Sequence, residues 1–170
     1  KQEGGYWDFK REWYSDGKKA DLLQDIICMA NNLENRDAYI IIGIDEENDY
    51  CVQDVVKAEN RKNTQKLVDF LRDKKFASGI KPKVIVEPLE FPDGTVDVII
   101  IKNSFYTPYF LVEKYLDVYA NNIYVRVSDT NTPKNRSADI SNIEYLWKKR
   151  FRLLSSPLEQ VFYYLLKKDE

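Results

Sequence analysis

Three carboxylates and one lysine in the first third of the chain have the chemistry of a metal site. Glu3, Asp8 and Lys10 stand close together in the sequence, and Asp45 follows a long apolar run. Carboxylates that converge repel one another unless a cation lies among them, and Mg²⁺ or Mn²⁺ with oxygen ligands is the usual solution. A lysine beside such an ion can stabilise negative charge on a phosphate. One interpretation is therefore that Glu3, Asp8 and Asp45 bind Mg²⁺ or Mn²⁺ and that Lys10 assists.

A second interpretation of the same residues needs no site. Aspartate and glutamate number 28 among 170 residues, so acids at solvent-facing positions are expected in any case. Short motifs also match by chance. The residues alone leave both interpretations open.

The segment that carries Asp8 and Lys10 has the pattern of a strand. Trp7 and Phe9 alternate with Asp8 and Lys10, which predicts an apolar face toward the core and a charged face opposite. The two glycines that precede this segment can break the strand, so Glu3 can return to the side of Asp8.

The segment that carries Asp45 resembles a central strand. Residues 39–45 are apolar without alternation until Asp45, which is typical of a strand covered on both faces. Crevices in open α/β sheets lie at the carboxyl ends of such strands, where Asp45 stands. Because an opening strand can lie beside a central one, we expect Glu3, Asp8 and Asp45 to cluster.

The rest of the sequence predicts several helices and one hairpin. After Gly17, apolar residues at helical spacing predict an amphipathic helix, and a second helix after Asn63 carries lysines that we interpret as a solvated face. Asp93-Gly94 predicts a hairpin turn, and Pro88 places the first arm at a sheet edge. Capping boxes predict helices that begin at Ser141 and Ser156.

A predicted strand and the loop after it carry candidate nucleic-acid-binding residues. Residues 122–127 alternate so that Tyr124 and Arg126 share one face, and the polar loop 128–139 contains Lys134 and Arg136. These four side chains could position a phosphate backbone. The loop cations could equally be merely solvated.

These elements predict an α/β (α+β) fold with a mixed sheet flanked by helices. We expect one domain over residues 1–152 and a C-terminal helix over residues 153–170, which could lead into a further domain. The composition, 44% apolar and 32% charged, is that of an ordinary globular protein, and no apolar run is long enough for a membrane span.

Composition also restricts the chemistry. Histidine is absent, which excludes Ser-His and Cys-His hydrolases and ribonucleases that rely on histidine. Cys28 and Cys51 lack paired metal-ligand spacing, so we expect free thiols and a cytoplasmic location. A net charge of −2 means that binding of RNA or DNA would need a local basic surface.

Several short motifs are similar to those of a known bacterial family, the AlbA-like domain of Schlafen proteins, which is associated with DNA binding. The spacing from Glu3 to Asp8-Phe9-Lys10 resembles the opening Glu-x4-Glu-Phe-Lys of that family. Met29-Ala30-Asn31 and the Gly43-Ile44-Asp45 strand end resemble its Ala-Asn and Gly-Val-Asp motifs. Pro108-Tyr109 and Tyr124-Val125-Arg126 resemble two later landmarks, so the resemblance extends from Glu3 to about Leu146.

The resemblance implies a function and a site. In nucleolytic members, two acids of the opening motif and the acid after the strand glycine form a metal site that cleaves RNA, often tRNA. The corresponding residues here are Glu3, Asp8 and Asp45, and each is a carboxylate. Two departures affect the loops: residues 35–37 replace a Gly-Gly pair, and Val127 replaces the glycine expected after Arg126.

Three functions follow as alternatives. The first is nucleic-acid binding with metal-dependent endonuclease activity, the second a non-catalytic DNA- or RNA-binding module of a transcriptional regulator, and the third an oligomerising interaction domain. Two-lobed relatives and the apolar stripe of the last helix also favour a homodimer.

Overall fold

A computed structural model describes residues 3–166 and shows an α+β fold, as predicted. The strands are β1 (Trp7–Lys10), β2 (Ala38–Ile42), β3 (Ile44–Asp45), β4 (Cys51–Val52), β5 (Val84–Phe91), β6 (Gly94–Ile101), β7 (Arg126–Val127) and β8 (Thr130–Asn131). The helices are α1 (Lys19–Ala30), α2 (Thr64–Arg72), α3 (Ile140–Arg150) and α4 (Pro157–Leu166). Short 3₁₀ turns lie at Asp16–Lys18, Glu46–Asn48 and Ala77–Gly79. The last four residues of the predicted segment 153–170 lie outside the described residues.

Four strands form the mixed sheet, in the order β1-β2-β6-β5. β1 runs parallel to β2, whereas β6 is antiparallel to both β2 and β5. β2 is therefore an interior strand, and β5 is an edge strand that tolerates Pro88, as the sequence predicts.

Gly43 ends β2 and sends the chain into a separate small hairpin. Its φ of +104° favours glycine, and a Cβ here would lie 2.7 Å from the backbone oxygen of Gln53. β3 then pairs with β4, with Asp45 opposite Cys51. Asp45 thus belongs to the hairpin rather than to the main sheet.

Helix α1 is buried on nearly all sides, so the predicted amphipathic pattern is wrong for this helix. Every residue from Leu22 to Ala30 is buried, including the polar Gln24 and Asp25. The expected solvent face is covered by the segment around β8, because the Gln24 side chain donates a hydrogen bond to the carbonyl oxygen of Thr132 at 2.6 Å. α1 therefore presents polar side chains to the interior as well as apolar ones.

The predicted strand 122–127 is shorter than expected, since only Arg126 and Val127 are paired as β7. Upstream of β7, the amide of Ile123 donates to Ser137 Oγ at 3.0 Å, and the amide of Val125 donates to Thr132 Oγ1 at 3.1 Å. These two side chains, together with the backbone amides of Thr132 and Ala138, which donate to the carbonyl oxygens of Val125 and Ile123, take the place of the partner strand that the alternation predicts.

The two C-terminal helices differ in how they are held. α3 begins at Ile140 with Asp139 as its N-cap, rather than at Ser141. α4 has the predicted capping box, in which the amide of Ser156 donates to Glu159 Oε2 at 2.7 Å. No residue of α4 is buried.

Within residues 3–166, none of the helices is both apolar enough and long enough to cross a membrane. Cys28 and Cys51 are free thiols, as predicted.

Candidate functional site

Strand β1 presents Asp8 to the interior, which corrects the predicted orientation of this strand. Asp8 is only 1% exposed, whereas Trp7 and Phe9 are partly exposed. The Asp8 face is the covered one because α1 and Arg126 pack over it through charged contacts. The alternation in the sequence correctly separates the two faces but does not tell which face is covered.

Glu3 reaches the same face through a tight turn. A Cβ on Gly4 would lie 2.6 Å from the ring of Trp7, so this turn packs closely against the indole. The backbone then returns far enough for Glu3 Oε1 to accept a hydrogen bond from the amide of Phe9 at 2.9 Å. Gly4 thus allows Glu3 and Asp8 to approach each other.

Arg126 joins these two acids from the far end of the chain. Its Nη2 lies 2.7 Å from Glu3 Oε2 and 3.1 Å from Asp8 Oδ1. Its Nε donates to the carbonyl oxygen of Gly4 at 2.9 Å, and its Nη1 donates to Asn131 Oδ1 at 3.2 Å. Only 3% of Arg126 is exposed, so its guanidinium contacts protein groups rather than solvent.

Lys10 is the second cation of the cluster. Its Nζ lies 2.6 Å from Asp8 Oδ2 and 3.9 Å from Asp25 Oδ2. At 2.6 Å the Lys10 ammonium is an ion-pair partner of the buried Oδ2 of Asp8, although its approach is not aligned as a hydrogen bond. Burial alone would lower the pKa of Lys10, but Asp25 and Asp8 outweigh it and raise that pKa.

Asp25 completes the cluster and is not among the sequence-predicted site residues. Tyr14 donates its hydroxyl hydrogen to Asp25 Oδ2 at 2.5 Å, and the Asn131 side chain donates to Asp25 Oδ1 at 2.6 Å. Asp25 lies on α1 three residues after Leu22 and four before Met29. An acid inside an apolar helical stripe is the signal that could have identified it.

Both central acids of this cluster hold their protons unusually tightly. Burial raises the pKa of Asp8 to about 6, although Lys10 and Arg126 oppose the shift. Burial likewise raises the pKa of Asp25 to about 6, against the same two cations and the Tyr14 hydrogen bond. Desolvation therefore outweighs the nearby positive charges at both carboxyls.

Asp45 pairs with a cation outside the acidic cluster, by which we mean Glu3, Asp8, Lys10, Asp25 and Arg126. Its Oδ2 is 3.4 Å from Arg11 Nε. In the described part of the chain, no hydrogen bond or ion pair joins Asp45 to Glu3 or Asp8. The cause is Gly43, which diverts the chain out of the main sheet before Asp45.

The predicted nucleic-acid-binding residues occupy different environments. Tyr124 is 1% exposed and donates its hydroxyl hydrogen to the carbonyl oxygen of Lys134 at 2.8 Å. The Lys134 ammonium forms ion pairs with Asp117, at 2.6 Å, and with Asp21. Arg136 is exposed. Of these residues and Arg126, only Arg136 presents an unengaged cation to solvent in the described structure.

The acidic cluster provides the oxygen donors that Mg²⁺ or Mn²⁺ prefers, and Asp8 Oδ2 is buried without an aligned hydrogen bond. However, Arg126 Nη2 already lies between Glu3 and Asp8. Within residues 3–166, no three His, Cys, Asp or Glu side chains are grouped to hold a metal ion. The donor chemistry thus fits a divalent ion, but the arrangement of the side chains does not.

The fold and this cluster define an α+β domain whose amino-terminal turn is tied to its later half by a buried arginine. A family model described as Schlafen, AlbA_2 matches residues 3–135. The chain therefore belongs to this family, as the sequence motifs predict, and its function is nucleic-acid related. No curated protein matches the chain.

Proposed function

We propose that this chain is a nucleic-acid-binding domain in which the acidic cluster stabilises the fold and exposed cations contact the ligand. The observation that carries this proposal is the position of Arg126, whose Nη2 lies within 3.1 Å of both Glu3 and Asp8. An arginine in that place neutralises the acids without a metal ion. Membership of the Schlafen, AlbA_2 family supports a nucleic acid as the ligand.

Binding of fluorescently labelled RNA and DNA, measured by anisotropy, tests this function. Because lysines and arginines would contact phosphates, affinity should fall steeply between about 50 and about 200 mM salt. Binding that does not change with salt, or no binding at low salt, contradicts the proposal. Single-stranded and duplex oligonucleotides of the same sequence identify the preferred ligand.

Metal-dependent endonuclease activity is the second candidate. The specific observation in its favour is Asp8 Oδ2, a buried carboxylate oxygen whose neighbouring cation, Lys10 Nζ at 2.6 Å, makes no aligned hydrogen bond to it. In this function Glu3, Asp8 and Asp45 would hold Mg²⁺ or Mn²⁺, which would supply an activated water, and Lys10 would neutralise the phosphate. Arg126 would then have to release Glu3 and Asp8.

Incubation of RNA and DNA with the purified protein and Mn²⁺ tests the second candidate. Cleavage that is lost in both Asp8→Asn and Asp45→Asn supports it. Cleavage that depends on Asp8 but not on Asp45 places the reaction at the acidic cluster alone. Cleavage that persists in both variants rejects this site, and no cleavage by the wild-type protein rejects the candidate.

Two further features complete the proposal. A cytoplasmic location is supported by the free thiols of Cys28 and Cys51. A homodimer is supported by the exposed apolar residues of α4, of which Leu158 is 65% and Phe162 56% exposed. More than half of each of these residues is left uncovered by the described chain.

A further inference from the structure

A groove between the start of α1 and the start of α2 collects lysines from three parts of the chain. Residues 15–16, 59–62 and 66 line a cavity of about 560 Å³. Lys62 and Lys66 line this cavity, and Lys19 and Lys74 lie beyond its lining but within electrostatic reach of one another. We refer to these four lysines as the lysine groove. We infer that the lysine groove binds the phosphate backbone of a nucleic acid, an assignment that rests on the proposed function.

Three of these lysines are not used in ion pairs of the described structure. Lys66 is exposed. Lys62 Nζ contacts only the carbonyl oxygen of Asn60, at 3.2 Å. Lys74 Nζ lies 4.4 Å and 4.1 Å from the ring centres of Phe70 and Tyr115. None of these three ammonium groups is paired with a carboxylate in the described structure, in contrast to that of Lys134, although Lys74 is held against the two rings.

The positive charges of the groove also act on one another. Burial lowers the pKa of Lys62, and the nearby Lys19 and Lys66 lower it further, against Asp16. Burial likewise lowers the pKa of Lys74, with Lys19 again contributing, against Asp73. Lys19 thus lies within electrostatic reach of both Lys62 and Lys74. A phosphate placed among these ammonium groups would relieve their repulsion.

The acidic neighbours of the groove are few and largely solvated. Asp16 pairs with Lys19 at 2.8 Å, but the Asp16 side chain is 87% exposed, so water and salt screen its charge. Glu59 lines the cavity and Asp73 lies beside Lys74. A flexible anionic polymer can avoid these acids and still contact several lysines.

The shape of the surface favours a nucleic acid over a membrane. Lys62 and Lys66 border a groove in which a phosphate chain can lie. The rings of Phe70 and Tyr115 pack edge to face at 6.1 Å and hold the Lys74 ammonium at one end. The sequence alone interprets the α2 lysines as a solvated face because Tyr115 comes from a distant segment.

The double variant Lys62→Gln with Lys66→Gln tests the lysine groove, and Lys57→Gln with Lys83→Gln is the matched control. Lys57 and Lys83 are exposed, and the control removes the same total charge elsewhere. For the groove variant we expect weaker binding of single-stranded RNA or DNA and a salt slope smaller by about 2. The control should retain the wild-type slope.

The possible outcomes separate this inference from the proposed function. Wild-type binding that is unchanged in the groove variant overturns the lysine groove and leaves the proposed function intact. Equal loss in groove and control variants also overturns it, because net charge alone would then explain binding. No wild-type binding rejects both. If the protein binds anionic lipid vesicles through these lysines but does not bind oligonucleotides, the inference is overturned and the ligand of the groove is a membrane surface.

Folding controls accompany these measurements. Circular dichroism should give the same thermal midpoint for wild type and both variants. If the double variant unfolds, Lys66→Gln alone serves, because Lys66 is exposed, and its salt slope should fall by about 1. An unchanged slope in a folded Lys66→Gln variant overturns the inference.

Discussion

Arg126 and Arg136 are both predicted nucleic-acid-binding residues, yet they occupy opposite environments. Arg126 is 3% exposed between Glu3 and Asp8, whereas Arg136 is exposed. Arg126→Ala should therefore lower the free energy of unfolding by about 3 kcal/mol, because it removes a buried cation from the buried Asp8 and the partly buried Glu3. Arg136→Ala should change it by less than about 0.5 kcal/mol. Urea denaturation of both variants measures the difference.

Equal stability of the two arginine variants would contradict a structural role for Arg126. The same pair of variants also separates folding from binding. Arg136→Ala should weaken binding of nucleic acid while the protein remains folded, if the exposed guanidinium contacts phosphate.

The raised pKa values of Asp8 and Asp25 predict an unusual dependence of stability on pH. Both carboxyls have a folded-state pKa of about 6 against an ordinary 3.8, so the folded protein binds more protons between these values. The free energy of unfolding should then fall as pH rises from about 4.5 to about 6, by up to about 1.4 kcal/mol per pH unit for each group. Urea denaturation across this range measures the slope.

Asp8→Asn provides the control for that pH dependence. This variant removes one of the two shifted groups, so the fall in stability should be about half as steep, and the thermal midpoint at pH 7 should be unchanged or raised. Wild-type stability that rises with pH between about 4.5 and 6, or a midpoint that drops sharply in Asp8→Asn, would show that the ion pairs outweigh burial.

At the scale of residues, the sequence predicts which side chains are candidates for a site better than it predicts which other residues surround them. Glu3, Asp8 and Lys10 lie close together in the sequence, and local strand geometry is enough to predict that their side chains are neighbours. Asp25 belongs to the acidic cluster only because the polar side of α1 is covered. The covering segment contains Asn131, more than a hundred residues later in the sequence. Asp45 is diverted because Gly43 adopts a positive φ, and a glycine does not reveal its φ in sequence.

Helices α2 and α4 both have side-chain N-caps but different packing. Asn63 Oδ1 accepts from the amide of Lys66 at 2.9 Å, and α2 buries Leu67 and Leu71. Asn63→Ala should therefore lower global stability by about 1 kcal/mol. Ser156→Ala removes the cap of α4, which has no buried residue, and should change global stability by less than about 0.5 kcal/mol.

Urea denaturation and amide hydrogen exchange together check this pair of caps. Exchange in α4 should accelerate in Ser156→Ala while the rest of the chain is unaffected. A loss of global stability in Ser156→Ala equal to that in Asn63→Ala would mean that α4 is packed in solution, for example against a second copy.

At the scale of elements, a sequence motif predicts secondary structure correctly where its own residues determine the backbone conformation. The Asp93-Gly94 turn and the edge position of Pro88 predict the β5–β6 hairpin correctly. The strand over residues 122–127 was overestimated because alternation does not reveal whether a partner strand exists. The start of α3 was misplaced because Asp139 precedes the capping-box pattern.

The predicted homodimer concerns the whole molecule. Leu158, Val161, Phe162 and Leu165 of α4 are each more than half exposed, which is a large apolar surface for one helix. We expect a dimer of the intact chain and a monomer after truncation at Arg152, because truncation removes α4. Light scattering measures both. A monomer in both cases rejects the dimer, and a dimer in both rejects α4 as its cause.

Topology at this scale follows from the sequence only in part. The right-handed connection of parallel strands and the β5–β6 hairpin limit the possible arrangements. Insertion of β6 between β2 and β5 depends on long-range pairing, in which Ile40 lies opposite Ile99. Nothing local to either segment specifies that partner, since both are plain apolar runs.

The contact between Arg126 and Glu3 spans 123 residues of sequence. Closing such a long loop is entropically unfavourable until the intervening helices and strands are in place, so this contact should be among the last to form during folding. Until then Asp8 remains in water, where its pKa is the ordinary 3.8. The pKa of Asp8 therefore rises to about 6 only in the final step of folding. Proton uptake at about pH 5, followed with a pH indicator in a stopped-flow experiment, should report completion of folding.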